Sequence, residues 1–290
     1  MRIWNKPTPM PTSDSLSPMD EIAGMFSADD YMFFYSGYLT PARSDTETVQ
    51  LVGLLEMDPR NGPLHVLDLA CGYGRIANRL ALIGHQVTGI EYQADFLSLA
   101  RADARRNGLL GRGPGAVHYV HGDMRQLEEV ARDTGGAQNP GGAQYQRVVM
   151  LFNSFGYFTD AENLGVLRSI ARALTPGGLL GFDIGHRDGL LNNFQPESVV
   201  EQDGALMINR FTFDVLSGRM HNHRTILREG ADRTTARRDI HFSIRLYSVT
   251  EIRDLLERAG LELQAVYAEW DASPIRADSP AMALVAKKPE

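Results

Sequence analysis

The sequence is poor in cysteine, in long apolar runs and in positive charge. Its one cysteine, Cys71, excludes a disulfide within the chain and predicts a cytoplasmic protein. No run approaches the roughly 18 apolar residues of a membrane-spanning helix, so no membrane partner is expected. The 36 acidic residues outnumber the 29 Lys and Arg residues, which gives a net charge of −7. Because nucleic acids select basic surfaces, this charge argues against nucleic acid as the main partner.

An alternation of strand and helix patterns fills most of the chain. With 290 residues, 43% of them hydrophobic, the protein can form one sizeable core. Prolines among Ser and Thr predict a flexible tail over residues 1–19, and a repeated GGAQ predicts a surface loop at residues 135–144. A helix is expected from Thr46 to Glu56. Helical stripes then separate five short apolar strands: HVLDLA, QVTGIE, VHYVHGD, YQRVVMLF and LLGFDI. Because parallel neighbours need a crossover, this order predicts an α/β fold with a mostly parallel sheet and helices on both faces.

The hydrophobic period changes to two residues from about Val199 to Tyr247. Turn sequences separate the segments ALMINRFTFD, RMHNHRTILR and RRDIHFSIRLY, which predicts an antiparallel insert after the fifth strand. A capping box, Ser248 to Glu251, begins the next helix, and two closing strands follow in LELQAVYAEW and AMALVAKK. We therefore assign residues 186–247 to the insert and residues 20–185 and 248–290 to the main domain.

The stretch VLDLACGYGRIANRLALIGHQVTGIE, residues 66–91, has the layout of a nucleoside-cofactor site. The small residues Ala70, Gly72 and Gly74 follow a strand, where they let a ligand approach the backbone. The second strand ends on Glu91, whose carboxylate can accept hydrogen bonds from ribose hydroxyls. The same glycines also satisfy the weak dinucleotide pattern G-x-G-x-x-[G/A], so a nicotinamide-dependent oxidoreductase is an alternative.

From about Asp29 to Lys288 the chain resembles the class I S-adenosylmethionine-dependent methyltransferases. VLDLACGYGR matches their first motif, with Ala70 in place of the usual first glycine, and GIE, HGDM and VVMLFNSFGYF match the next three. The resemblance implies a Rossmann-like sheet with an antiparallel last strand, which disfavours the dinucleotide alternative. It implies S-adenosyl-L-methionine as cofactor, bound by residues that include tyrosines covering the ligand: Tyr31, Tyr35, Asp68, Ala70, Gly72, Gly74, Glu91, Tyr92, Asp123, Met124 and Leu151.

The insert and the chain's ending resemble a small-molecule subgroup that includes amino-sugar N-methyltransferases. Five residues are candidates for acceptor binding or catalysis, because they follow strands four and five or lie on the last insert strand: Asn153, Tyr157, His186, Arg245 and Tyr247. His186 is the candidate general base. Each has a structural alternative: Asn153 and Tyr157 could cap a loop, His186 could bond to backbone, and Arg245 and Tyr247 could face solvent.

The expected function is methyl transfer from S-adenosylmethionine to N or O of a small molecule, and the insert is expected to cover the acceptor site. Alternatives are a C-methyltransferase, or a protein of this fold that binds the cofactor without transferring methyl. His221 and His223 share a strand face but lack a third ligand, so no metal is expected. Cys71 is expected to be packed rather than nucleophilic. The exposed insert edge could pair two copies into a homodimer.

Overall fold

The computed structural model describes residues 27–133, 145–229 and 235–290. The predicted tail over residues 1–19 and the predicted loop at residues 135–144 lie outside these ranges. No described helix is long and apolar enough to cross a membrane.

A seven-stranded sheet forms the framework of the molecule. Its strands are β1 (His65–Leu69), β2 (Gln86–Glu91), β3 (Ala116–His121), β4 (Tyr145–Met150), β5 (Leu174–Gly185), β10 (Glu262–Tyr267) and β11 (Ala281–Lys287). They lie in the order β10-β11-β5-β4-β1-β2-β3. β1 to β5 are parallel, whereas β11 runs antiparallel to both β5 and β10. The predicted parallel sheet with an antiparallel last strand is therefore confirmed.

Helices cover both faces of this sheet because alternate strand residues point to opposite sides. The α-helices in the described ranges are α1 (Ala28–Tyr35), α2 (Pro41–Leu54), α3 (Ala77–Leu82), α4 (Ala94–Arg106), α5 (Leu127–Asp133), α6 (Asp160–Ala173), α7 (Arg187–Asn192) and α8 (Val249–Ala259). Val66 packs in the core that α2, α3 and α4 share, whereas its neighbour Leu67 packs in the core of α5, α6 and α8. α2 begins before the predicted Thr46, because the Thr40 hydroxyl accepts from Arg43 N at 3.2 Å and Pro41 suits the first helical turn.

The predicted antiparallel insert is also confirmed, as a separate four-stranded sheet. Its strands are β6 (Glu197–Gln202), β7 (Ala205–Asp214), β8 (Arg219–Glu229) and β9 (Thr235–Arg245), paired in that order. β6 was not anticipated as a strand of its own. The inner face of this sheet packs on α1, where Phe34 contacts Met207, Ile226 and Ile240. The N-terminal helix is thereby attached to the insert as well as to the main domain.

Candidate active site

The turn after β1 is held in a left-handed conformation by its own small residues. Ala70, Gly72 and Gly74 have φ values of 59°, 54° and 79°. A side chain at Gly74 would meet Tyr119 Oη at 2.2 Å, so close packing against β3 requires a glycine there. Space is open beside Gly72, which lines a cavity. Ala70 is the exception, because an alanine in this region costs about 1 kcal/mol.

Glu91 connects the end of β2 to this turn. Its two carboxylate oxygens accept hydrogen bonds from Gly72 N at 2.9 Å and from Gln93 N at 2.8 Å. The side chain is 8% exposed, and burial raises its pKa despite those two bonds. An acid is thus positioned at the mouth of the turn, as the sequence predicts for a ribose-binding carboxylate.

The first cavity lies at the carboxyl ends of β1, β2 and β4. Nine of the eleven predicted cofactor residues line it: Tyr31, Asp68, Ala70, Gly72, Glu91, Tyr92, Asp123, Met124 and Leu151. The other two do not. Gly74 packs beneath the turn, and Tyr35 lines a neighbouring cavity. Cys71 also lines the cavity but is 8% exposed, and burial keeps the pKa of its thiol well above the usual value. Its thiol is therefore protonated near neutral pH, as expected for a packed residue.

Asp68 is the buried acid of the first cavity. Burial raises its pKa to about 7, against the opposing effect of the nearby Arg75 guanidinium. Arg75 is itself 9% exposed and forms an ion pair with Glu47 of α2. Because Glu47 shares the charge of Arg75, Asp68 is only partly compensated, and a cationic ligand in this cavity would favour its ionised form.

Aromatic rings enclose the cavity from the side of α1. Tyr31 packs edge-on to Phe96 at 5.2 Å and to Phe152 at 6.1 Å between ring centroids, and lies 6.3 Å from Tyr73. Burial raises the pKa of the Tyr31 phenol, so the phenol is neutral. Ring faces in this position can attract a cation and exclude water.

A second cavity, of about 570 Å³, lies between the main domain and the insert. Tyr31, Phe152 and Tyr157 line both cavities, so the two spaces meet at these rings. Insert residues and the segment after β5 form the remaining walls, among them Phe194, Asn209, Phe211, Asn222, Arg224 and Phe242. Its mostly apolar walls, a third of them aromatic, suit a small organic ligand.

Asp183 of β5 fixes the loop that separates the cavities. Its carboxylate accepts from Phe152 N at 3.1 Å, Asn153 N at 2.7 Å and Trp270 Nε1 at 3.0 Å. Phe152 and Asn153 are held at φ values of 62° and 59°, which are strained for residues with side chains. Asn153 lines the second cavity, but its Oδ1 accepts from Gly185 N at 2.9 Å. Asp183 is therefore a positioning residue that the motif search did not identify.

Three predicted acceptor residues line neither cavity. His186 is 4% exposed and its Nδ1 bonds to the carbonyl oxygen of Ser279 at 2.9 Å, which is the structural alternative given for it. Arg245 donates to Glu251 at 2.9 Å and to backbone carbonyls, and its guanidinium lies 4.7 Å from the Tyr247 ring. Tyr247 is 3% exposed and accepts from Asn163 Nδ2 at 3.1 Å, and burial raises its pKa to about 12. Only Asn153 and Tyr157 of the five lie beside a cavity.

Three polar insert residues were missed by the sequence reasoning: Asn209, Asn222 and Arg224. A signal for the last two exists, since they alternate on β8 with His221 and His223 and therefore share the opposite face of that strand. Asn222 is 5% exposed, between the buried Met220 and Ile226. On the outer face, the rings of His223 and His241 stack at 4.1 Å. Within the described ranges no three His, Cys, Asp or Glu side chains are grouped to hold a metal.

Known proteins similar to this chain agree with the geometry of the first cavity. A family model described as a methyltransferase domain matches residues 66–178. A putative methyltransferase of Bacillus subtilis, YqeM, is 27% identical over 227 residues, covering 77% of this chain and 83% of YqeM. Shorter matches, each under half of the chain, include ribosomal RNA methyltransferases.

Two solved structures share the fold over most of both chains. The CcbJ methyltransferase from Streptomyces caelestis superposes with a TM-score of 0.68 at 23% identity, over 87% of this chain and 91% of that one. S-adenosylmethionine-bound CalS10, an amino pentose methyltransferase from Micromonospora echinaspora, gives 0.63 at 18% identity, over 91% and 97%. Together with the glycine turn, Glu91 and the antiparallel last strand, these matches show that the chain has the fold of the class I S-adenosylmethionine-dependent methyltransferases, with a methyltransferase domain over residues 66–178.

Proposed function

We propose that the protein methylates a nitrogen or oxygen atom of a small molecule bound in the second cavity, with nitrogen favoured. The observation that carries this proposal is that Tyr31, Phe152 and Tyr157 form walls of both cavities. Ligands bound in the two cavities would meet at these rings. In-line methyl transfer requires the donor methyl group and the acceptor atom to be in contact. The volume of about 570 Å³ fits a small molecule.

The residues of the first cavity fit S-adenosylmethionine. Glu91 offers its carboxylate to ribose hydroxyls, Asp123 and Met124 line the same cavity, and the open space beside Gly72 admits a ligand to the backbone. Asp68 and the aromatic cover favour a positively charged ligand. When bound, the cofactor supplies an electrophilic methyl group on a sulfonium that is already a good leaving group.

The proton chemistry of the second cavity favours a nitrogen acceptor. Among the described residues that line it there is no His, Asp, Glu, Lys or Cys. Tyr157 lies at the junction, but burial raises the pKa of its phenol, which makes it a poor base near neutral pH. An amine that arrives neutral brings its own lone pair and needs no base, whereas an alcohol would have to lose a proton. KedS8, a structural neighbour, is a sugar N-methyltransferase, which supports a nitrogen acceptor here.

The test supplies methyl-labelled S-adenosylmethionine and pooled small-molecule amines, with total RNA as a separate acceptor. We expect one S-adenosylhomocysteine per labelled small-molecule product. Cofactor binding without any labelled product would support the alternative of a non-transferring protein, and labelling of RNA alone would overturn the small-molecule acceptor. Products labelled on oxygen or on carbon would overturn the preference for nitrogen.

His186→Asn tests the absence of a base in the same assay. Asparagine can keep a donor to the Ser279 carbonyl, so we expect activity within about twofold of the unchanged protein at every pH. The pH dependence should follow ionisation of the acceptor amine, which has to be neutral to react. A loss of about a hundredfold or more in kcat would instead make His186 the base.

A further inference from the structure

The second cavity contains one formal charge among its described lining residues, and that charge is Arg224. The other polar lining side chains are neutral amides, a serine hydroxyl and tyrosine phenols. Arg224 forms no ion pair with any Asp or Glu in the described ranges, whereas Arg75 of the first cavity is paired with Glu47. Half-buried cations in proteins are usually paired, because removing a charge from water is costly. The cavity is therefore positively charged although the protein as a whole carries −7.

Hydrogen bonds hold the Arg224 guanidinium and leave part of it available. Its Nε donates to Asn209 Oδ1 at 2.8 Å, and its Nη2 lies 3.5 Å from the Tyr35 hydroxyl. The Phe242 ring lies 5.2 Å from the guanidinium carbon. An arginine has five N–H donors in a fixed fork, so three remain beyond these two bonds. The Nη1 and Nη2 groups together form the edge that binds a carboxylate through two parallel bonds.

The amides beside Arg224 have an orientation that follows from these bonds. Arginine can only donate, so the atom of Asn209 that it contacts is the oxygen. Asn222 Nδ2 donates to the same oxygen at 3.0 Å. Asn222 Oδ1 is then the remaining group, and it is buried without a hydrogen-bond partner in the described ranges. A buried acceptor left in this state costs about 1–3 kcal/mol.

We propose that the methyl acceptor is an amino carboxylic acid, and that Arg224 determines this specificity by binding its carboxylate. The inference rests on the proposed function, since it names the substrate class of the same cavity. One guanidinium surrounded by neutral amides matches a single negative charge better than a doubly charged phosphate. The aromatic walls Phe194, Phe211 and Phe242 contact the body of the molecule, and its amine faces the junction at Tyr157.

The test uses a panel of amino carboxylic acids with aromatic or sugar bodies, each paired with its primary amide. 4-(Aminomethyl)benzoic acid and 4-(aminomethyl)benzamide are one such pair, equal in shape and different in charge. Thermal shift and calorimetry are measured with S-adenosylhomocysteine present, and methyl transfer is measured with S-adenosylmethionine. We expect at least one acid to bind about tenfold or more tightly than its amide. Arg224→Gln should remove that preference, and Arg224→Lys should keep part of it.

Arg210→Gln is the matched control. Arg210 lies on the neighbouring strand, is paired with Glu197 at 2.9 Å on the exposed surface and lines neither cavity, so its substitution should leave the preference unchanged. A panel in which no acid exceeds its amide, or an Arg224→Gln protein that keeps the preference, overturns the inference. If amines are methylated and S-adenosylhomocysteine still raises the Tm in that case, the proposed function stands and only the substrate class is wrong.

Discussion

Gly72 and Gly74 lie two residues apart in left-handed backbone, but their surroundings differ. A Cβ at Gly72 would meet nothing within 4 Å, whereas one at Gly74 would lie 2.2 Å from Tyr119 Oη and 3.0 Å from Ala100 Cβ. The first glycine therefore keeps space for a ligand, and the second allows the turn to pack against the core. A pattern of glycines in the sequence cannot separate these roles, because Tyr119 comes from another strand.

We predict that the two alanine substitutions fail in different ways. Gly74→Ala should lower the free energy of unfolding by roughly 2–4 kcal/mol, since it adds overpacking to backbone strain. Gly72→Ala should lower it by only about 1–2 kcal/mol, from backbone strain, while weakening S-adenosylhomocysteine binding tenfold or more. Urea unfolding and calorimetry measure the two quantities. Gly74→Ala should cost less stability in a Tyr119→Phe protein than in the unchanged protein, because the closest clash is with the hydroxyl. Equal stability losses in the two single variants would contradict this division.

Residues of the cofactor site were predictable because they follow one another closely along the chain. Asp68, Gly72 and Glu91 belong to a single strand–turn–helix–strand unit, whose geometry is set by local rules. Arg224 and Tyr35 are 189 positions apart, so no local pattern brings them together. The same reason explains His186: it follows β5 as predicted, but its ring bonds to Ser279, 93 residues away, instead of reaching a cavity.

At the scale of elements, α1 is the connection between the insert and the first cavity. Asp30 of α1 forms ion pairs with Arg228 at 2.9 Å and with Arg238, while Asp29 pairs with Arg228 at 2.6 Å. The next residue, Tyr31, lines both cavities. The ion pairs therefore hold the aromatic cover of the cofactor site against the insert strands.

We predict that Asp30→Asn increases the motion of α1 over the first cavity without unfolding the protein. Amide hydrogen exchange over residues 28–35 should become faster, and the Kd for S-adenosylhomocysteine should rise about three- to tenfold. Asp30 keeps only 14% of its side chain exposed, so its charge is screened less than that of a surface residue.

Asp29→Asn is the matched control for this prediction. Its side chain is 81% exposed, and its loss should change the Kd by less than twofold. If amide hydrogen exchange over residues 28–35 is unchanged in Asp30→Asn, apolar packing around Phe34 alone holds α1 in place.

The insert shows how far periodicity predicts an element and where it stops. The alternation in β9 predicted one buried face, and Ile240 and Ile244 are 7% and 8% exposed as expected. Arg245 and Tyr247 come at the end of this alternation, where the chain leaves the insert sheet and turns into α8. Their contacts with Glu251 and Asn163 depend on that turn, which periodicity does not describe.

At the scale of the whole molecule, a buried acid makes stability and cofactor binding depend on pH together. The pKa of Asp68 rises from 3.8 to about 7 on folding because of burial. Between these values the unfolded chain binds fewer protons than the folded one, so stability falls as the pH rises toward 7 and then levels off. At neutral pH the ionisation of Asp68 therefore lowers the stability of the protein without its cofactor, and a bound cation would reduce this loss.

We predict that Asp68→Asn removes this loss of stability. It should also remove the pH dependence of the preference for S-adenosylmethionine over S-adenosylhomocysteine. The free energy of unfolding of Asp68→Asn minus that of the unchanged protein should increase by roughly 2 kcal/mol from pH 5 to pH 8, as measured by urea unfolding without ligand. In the unchanged protein the affinity for S-adenosylmethionine should rise through pH 7 more steeply than that for S-adenosylhomocysteine, because only the sulfonium adds a positive charge beside the ionised Asp68. Asp68→Asn should bind the two with a ratio that does not vary with pH. A stability difference that is constant from pH 5 to pH 8 would show that Asp68 is already ionised in the folded protein, with Arg75 supplying enough compensation despite its pairing with Glu47.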